Sequence, residues 1–256
     1  MVVATGPYQQ PVIPEFARDL DLFQVHASRY MEPEQLPPGA VLVVGAGASG
    51  SQIAEELCQS TRRVYLSVGR HRRMPRRYRG RDLIWWLSTM GLDQTPVEKR
   101  GPVQALPLIT GAYGGHTIDF REFAARGITL LGHIEGVREN TIEIASDLAA
   151  NLHAGDMAYD DFLNRVDAYI DDCAVAVPVD QTARARRTDP TCVYEPIRRL
   201  TLKDAGIAAV IWCTGYRLDF SWIELPVLDA RGMPLHWHGI AELPGYISSA
   251  YSGYRR

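Results

Sequence analysis

Long apolar runs are missing from these 256 residues: none reaches the 18 or more that a membrane-spanning helix needs. No basic stretch leading into an apolar core marks a secretory leader. The expectation is a cytoplasmic chain without membrane contact. Cysteine is scarce as well. Cys58, Cys173, Cys192 and Cys213 lie far apart, with no C-x-x-C and no histidine at zinc-like spacing, so buried thiols are expected rather than a disulfide framework or a metal site. Charge of one sign is not in excess, since the formal net charge is −3. Apolar content of 46% is ordinary and nothing suggests disorder, which leaves room for one large α/β domain or two smaller ones.

What is present is organised around residues 41–50, Val-Leu-Val-Val-Gly-Ala-Gly-Ala-Ser-Gly, a β-rich run that stops at a glycine and opens into a helical pattern. Gly45, Gly47 and Gly50 have the G-x-G-x-x-G spacing of a dinucleotide-binding turn. The first glycine permits the sharp turn, the second lets backbone approach a pyrophosphate, and the third lets helix pack on strand. Ile53, Ala54, Leu57 and Cys58 share one helical face, and the helix N-terminus would offer N–H groups and a positive dipole end to phosphate. Gly45, Ala46, Gly47, Ala48, Ser49 and Gly50 are therefore the candidate pyrophosphate-binding residues. An ordinary βα turn is the plainer alternative, but a second strand at residues 64–68 completes a βαβ unit.

An NAD-type unit would place a carboxylate at the end of that second strand, and this chain has Gly69-Arg70-His71-Arg72-Arg73 instead. Guanidinium forks suit the extra phosphate of NADP, so NADP(H) is the preferred cofactor. Arg70 is the leading candidate, helped by Arg72 or Arg73. The run continues through Arg76, Arg77, Arg79 and Arg81. Read alone, it could also be a nucleic-acid stripe or a solvated basic loop. Its position directly after the second strand favours the cofactor cleft, with no nucleic-acid partner.

Downstream, residues 82–91 predict a helix ending at a glycine, and residues 117–127 a capped helix followed by a strand at 128–131. With a further strand near 141–145, this rhythm predicts continuation of a parallel sheet, giving an α/β, Rossmann-type doubly wound fold. Residues 95–115 read as a long irregular connection. Residues 147–173 are periodic enough for amphipathic helices, and their aspartates, among them Asp156, Asp160, Asp161 and Asp167, read as a solvated face rather than a metal site. Residues 178–199 read as an exposed return segment, and residues 208–216 as a buried strand ending at a glycine.

Ala4-Thr5-Gly6, His26-x-Ser28-x-Tyr30, the Gly45 turn and Cys213-Thr214-Gly215-Tyr216 come in the order seen in flavin-containing monooxygenases. The sequence resembles bacterial flavoprotein oxidoreductases of that group, which are also similar to Baeyer–Villiger monooxygenases. It departs from the family fingerprint where Leu20 and Leu22 replace a Phe-x-Gly. The resemblance implies hydride transfer from NADPH to FAD, then oxygenation of a small organic substrate through a flavin peroxide. It also implies that Thr214 and Gly215 approach the flavin. Positioning and exclusion of water are the protein's share of such chemistry, and no acid/base dyad is identified.

The resemblance covers the NADPH half of the family and divides the chain into a linker and FAD-domain remnant at 1–35, an NADP-binding domain at 36–205 and a return segment to the FAD domain at 206–256. No FAD-type glycine turn occurs in residues 1–44, so FAD is expected by family alone, with a separate FAD-domain chain as a partner. The tail after Gly245 reads as a frameshifted form of the family's last apolar strand. A non-catalytic NADP-binding sensor module and an arginine-rich nucleic-acid-binding protein are the rival readings.

Overall fold

The computed structural model describes residues 2–93, 107–236, 240, 247 and 248. The chain divides into two compact units. The larger takes in Glu15–Thr95 and Gln104–Cys213; the smaller takes in Met1–Pro14, Pro96–Val103 and Thr214–Arg256.

Five strands form the central sheet of the larger unit: β1 (Phe23–His26), β2 (Ala40–Val44), β3 (Val64–Ser67), β4 (Thr129–Leu131) and β8 (Ile207–Trp212). Their order across the sheet is β4-β3-β2-β8-β1, and every neighbouring pair is parallel. This is the Rossmann-type arrangement the glycine turn predicts. Strand β2 reads as continuous apolar residues because both faces of the sheet are covered. Val41 and Val43 pack with Ala54 and Leu57 of helix α1 (Ala48–Gln59) and with Leu148 and Leu152 of helix α4 (Leu148–Cys173). Leu42 and Val44 join Ala17, Ile142 and Leu202 on the opposite face.

Strand β8 is hydrogen-bonded between β1 and β2, with Ile211 opposite both Val25 and Val43. Residues 208–212 and 23–26, which the sequence reading groups with flanking segments, are thus central and edge strands of the same sheet as the glycine turn. The strand expected near 141–145 forms, but it does not extend that sheet. Strand β6 (Thr141–Ile144) lies antiparallel between β5 (Ile134–Arg138) and β7 (Arg199–Thr201). The tight turn at Glu139 and Asn140, at φ of 48° and 57°, sends the chain straight back and so enforces an antiparallel hairpin.

Helix α2 (Leu83–Thr89) is capped by the Asp82 carboxylate, which accepts from Ile84 N–H, and helix α3 (Phe120–Ala125) is capped likewise by Asp119 accepting from Arg121 N–H. Helix α4 runs unbroken for 26 residues until Ala174, which adopts a left-handed conformation at φ 50°. It crosses close over residues 72–73. At the crossing Gly155 leaves room for the ring of His71, since a Cβ there would run into His71 Nε2 and force the ring to shift. Among the described residues no helix is long and apolar enough to cross a membrane.

In the smaller unit, Val2–Val3 pairs in parallel with Ile247–Ser248, and Gln10–Pro11 pairs antiparallel with Tyr216–Arg217. Val3, Phe220, Ile223 and Val227 form its core. Of the tail after Gly245, only residues 247 and 248 are described; the rest lies outside the described residues, as does most of the 95–115 connection.

Candidate nucleotide-binding site

The chain leaves β2 at its carboxyl end and turns at Gly45, whose φ of +100° is open only to glycine and whose N–H donates to the Ser67 carbonyl at 3.2 Å. A Cβ on Gly45 would lie 2.5 Å from the Cys213 carbonyl oxygen, because β8 runs alongside and Cys213 N–H bonds Val44. A Cβ on Gly50 would run into the Gly45 carbonyl. Gly47 is different: it is exposed, its φ of −69° is ordinary, and a Cβ there would meet nothing within 4 Å. The first and third glycines are therefore demanded by the protein's own backbone, and the middle one faces open space.

Gly47 is also the N-cap of α1, and no side chain caps that helix. Ala48 and Ser49 in the first turn are exposed, while Ala46 is buried and its carbonyl accepts from the Ser51 hydroxyl at 3.2 Å. The N–H groups of an uncapped first turn, together with the positive end of the helix dipole, make a ready acceptor for an anion.

The three candidate arginines have different fates. Arg70 is exposed just beyond β3 and makes no ion pair among the described residues. Arg72 is half-buried in a two-residue strand beside Pro107–Leu108 and is likewise free of ion pairs among the described residues. Arg73 is committed elsewhere. Its guanidinium contacts Asp119 at 2.7 Å and Asp156 at 3.0 Å, and lies over the Tyr159 ring at 4.5 Å. Arg73 is thus occupied by two carboxylates, whereas Arg70 and Arg72 are not.

The same pairing corrects the reading of Asp156, whereas Asp161 is exposed as expected. Asp156 is 2% exposed rather than solvated, held by Arg73 and by Arg121 at 2.9 Å. Arg121 in turn reaches Asp189 at 2.6 Å, Arg79 pairs with Asp167, and Arg186 pairs with Asp160. Arg76 is held by Asp82 at 3.0 Å, and Arg81 lies over Trp85. Two arginines of the basic run, Arg73 and Arg79, thus find counter-ions on the acidic helix, whose other partners among the described residues are Arg121, Arg184 and Arg186.

Thr214 and Gly215 belong to the smaller unit. The Thr214 hydroxyl donates to the Val12 carbonyl, and Val12 N–H donates to Gly215 at 3.0 Å, with Gly215 at φ +83°. Cys213 is not an active thiol: burial pushes it up to about 12. Cys173, expected to be buried, is exposed where α4 runs out.

A groove of about 360 Å³ that the sequence does not announce runs along α1 beside the glycine turn, lined by Ala27, Tyr30, Met31, Ser49, Gln52, Ile53, Glu56, Ala112 and Tyr113. The Tyr30 hydroxyl donates to Glu56 Oε2 at 2.9 Å, and burial together with that carboxylate raises its pKa. Of these, Ser49 carried a signal in the sequence as part of the glycine turn, and Tyr30 as part of the His26-x-Ser28-x-Tyr30 segment.

The family model for L-lysine 6-monooxygenase/L-ornithine 5-monooxygenase matches residues 1–78. An uncharacterized oxidoreductase CzcO-like of Geobacillus kaustophilus is 33% identical over 261 residues, covering 100% of this chain and 58% of the relative. The uncharacterized oxidoreductase CzcO of Bacillus subtilis is 40% identical over 252 residues, covering 96% of this chain and 55% of the relative. The chain thus spans little more than half the length of the curated relatives it matches. A solved mutant form of a flavin monooxygenase from Stenotrophomonas maltophilia superposes with a TM-score of 0.46 and 14% identity over 93% of this chain and 49% of that one. The chain is thus similar over its whole length to CzcO-type oxidoreductases and over residues 1–78 to the L-lysine 6-monooxygenase/L-ornithine 5-monooxygenase family.

Proposed function

We propose that the larger unit binds NADPH and serves as the NADPH-binding part of a flavin-dependent monooxygenase-like oxidoreductase acting on a small organic substrate. The observation that carries this is the division of labour within the glycine turn. Two glycines are locked by the protein's own backbone, while Gly47 opens onto free space at an uncapped helix N-terminus. Glycine at position 47 serves as the helix N-cap and at the same time leaves the space in front of the first turn clear of a side chain.

In this reading the backbone from Ala46 to Gly50 holds the pyrophosphate, with the Ser49 hydroxyl beside it, and Arg70 and Arg72 take the 2′-phosphate that distinguishes NADPH from NADH. When bound, the nicotinamide supplies a hydride. The buried side chains around the turn keep its backbone fixed before the ligand arrives, so little ordering cost falls on binding. The flavin contact of Thr214 and Gly215, and a FAD-binding portion provided by a further segment or chain, belong to the same proposal and rest on family resemblance.

A thermal-shift titration with NADPH, NADH and FAD tests the reading. Stabilisation by NADPH above that by NADH, and weakened by Arg70→Ala, is expected. No shift with either nicotinamide nucleotide would overturn it.

A further inference from the structure

The groove along α1 has a composition that a phosphate-bearing ligand would not select. Among the described residues no lysine, arginine or histidine lines it, and the charged group there is Glu56. Glu56 Oε2 is engaged by Tyr30, whereas Oε1 makes no hydrogen bond among the described residues. Two tyrosine rings and the Met31 thioether supply polarisable walls. The neighbouring His116 has its ring centroid 6.4 Å from that of Tyr113 and its Nε2 3.1 Å from buried Glu55.

The wall carrying Tyr113 is held in an unusual way. At its base Thr110 is 1% exposed, and its hydroxyl accepts from Gln52 at 2.9 Å and from Ala112 N–H at 3.0 Å. At its tip Tyr113 is 61% exposed and sits in the left-handed region, at φ 51° and ψ 37°. Non-glycine residues hold that conformation at a cost, and they concentrate at ligand clamps. An exposed aromatic pinned in this way beside a half-satisfied carboxylate is the pairing that recognises organic cations, which aromatic faces attract and a carboxylate neutralises.

We infer that the groove between Tyr30, Glu56 and Tyr113 binds a small alkylammonium ion, with its charge beside Glu56 and its alkyl groups against the tyrosine rings and Met31. The volume is within the range of small-molecule sites. It is a binding site on the flank of α1 that shares Ser49 with the nucleotide reading and is otherwise built from different residues.

The test is calorimetric titration of the full chain with choline and with 3,3-dimethyl-1-butanol, its neutral isostere, in the absence and presence of saturating NADPH. Choline is expected to bind and the isostere at least about tenfold more weakly, with Glu56→Gln reducing choline affinity about tenfold. Tyr113→Ala changes an exposed side chain and leaves folding intact; it is expected to weaken choline about threefold or more. Choline binding that persists with NADPH present is the expected result. Equal binding of the isostere, no response to Glu56→Gln or Tyr113→Ala, no choline binding, or its complete displacement by NADPH would each overturn the proposal. Displacement would assign the groove to the nucleotide instead.

Discussion

Asp156 Oδ1 lies 3.0 Å from Arg73 Nη1 in an environment where the carboxylate is 2% exposed and the guanidinium 11%. The two come from segments 83 residues apart, and each explains why the other is not free. A buried pair of this kind contributes little net stability when intact, but removing one partner strands a charge. Asp156→Ala should therefore lower stability by about 3 kcal/mol or more, read as a shift in the urea midpoint. A change within about 0.5 kcal/mol, typical of surface positions, would show that the network is solvated after all.

The arginines should separate into two classes. Arg70→Ala should leave the unliganded protein as stable as before and weaken NADPH about tenfold to a hundredfold, with NADH little affected. Arg73→Ala should instead destabilise the unliganded protein, because Asp119 and Asp156 lose their shared counter-ion. Melting curves with and without each nucleotide distinguish the two patterns.

His71 gives the chain a response to mild acid. Its ring is packed edge-on against Phe120 at 4.8 Å and its Nδ1 lies 3.1 Å from the Gly69 carbonyl, to which it donates; burial depresses its pKa below the ordinary value. A histidine with a lowered folded-state pKa binds its proton more readily when unfolded, so stability is full above the unfolded pKa of about 6.5 and falls as pH drops below it. The melting temperature should decline from about pH 7.5 to about pH 5, and His71→Gln should flatten that decline. An unchanged slope in the variant would place the sensitivity elsewhere.

Thiol labelling should follow burial. Cys173 is exposed, whereas burial raises both Cys192 and Cys213. Native protein at about pH 8 should take up maleimide first at Cys173 and last at Cys213. Rapid modification of Cys213 would mean that the turn between β8 and Gly45 opens readily.

What could be read from the sequence was local. The strand, glycine turn and helix at 41–59 and the capped helix within 117–127 advertise themselves within a few residues, because turn sterics and capping act over that range. The partners of long-range pairs do not. Nothing within residues 207–212 says that they pair with both 40–44 and 23–26, and a β-strand near 141 reads alike whether its neighbour is parallel or antiparallel. The arginine run and the aspartate-rich helix were each legible, but the pairing of Arg73 with Asp156 and of Arg79 with Asp167 was not, since it exists only once α4 lies across residues 72–73. The groove was least legible of all, being assembled from Tyr30, Glu56 and Tyr113 on three separate segments.

The glycine turn itself gives the most direct test of the central claim, because Gly47 and Gly50 should fail in different ways. Gly50→Ala forces a side chain into the Gly45 carbonyl and should cost about 3 kcal/mol or more. Gly47→Ala meets no protein atom and should cost no more than about 1 kcal/mol through the helix cap. The decisive measurement is NADPH binding, by nucleotide fluorescence titration, to the wild type and to folded Gly47→Ala. The account predicts that the added methyl group occupies the space reserved for the pyrophosphate and abolishes binding in a protein that otherwise melts almost normally. NADPH affinity unchanged in Gly47→Ala would contradict it.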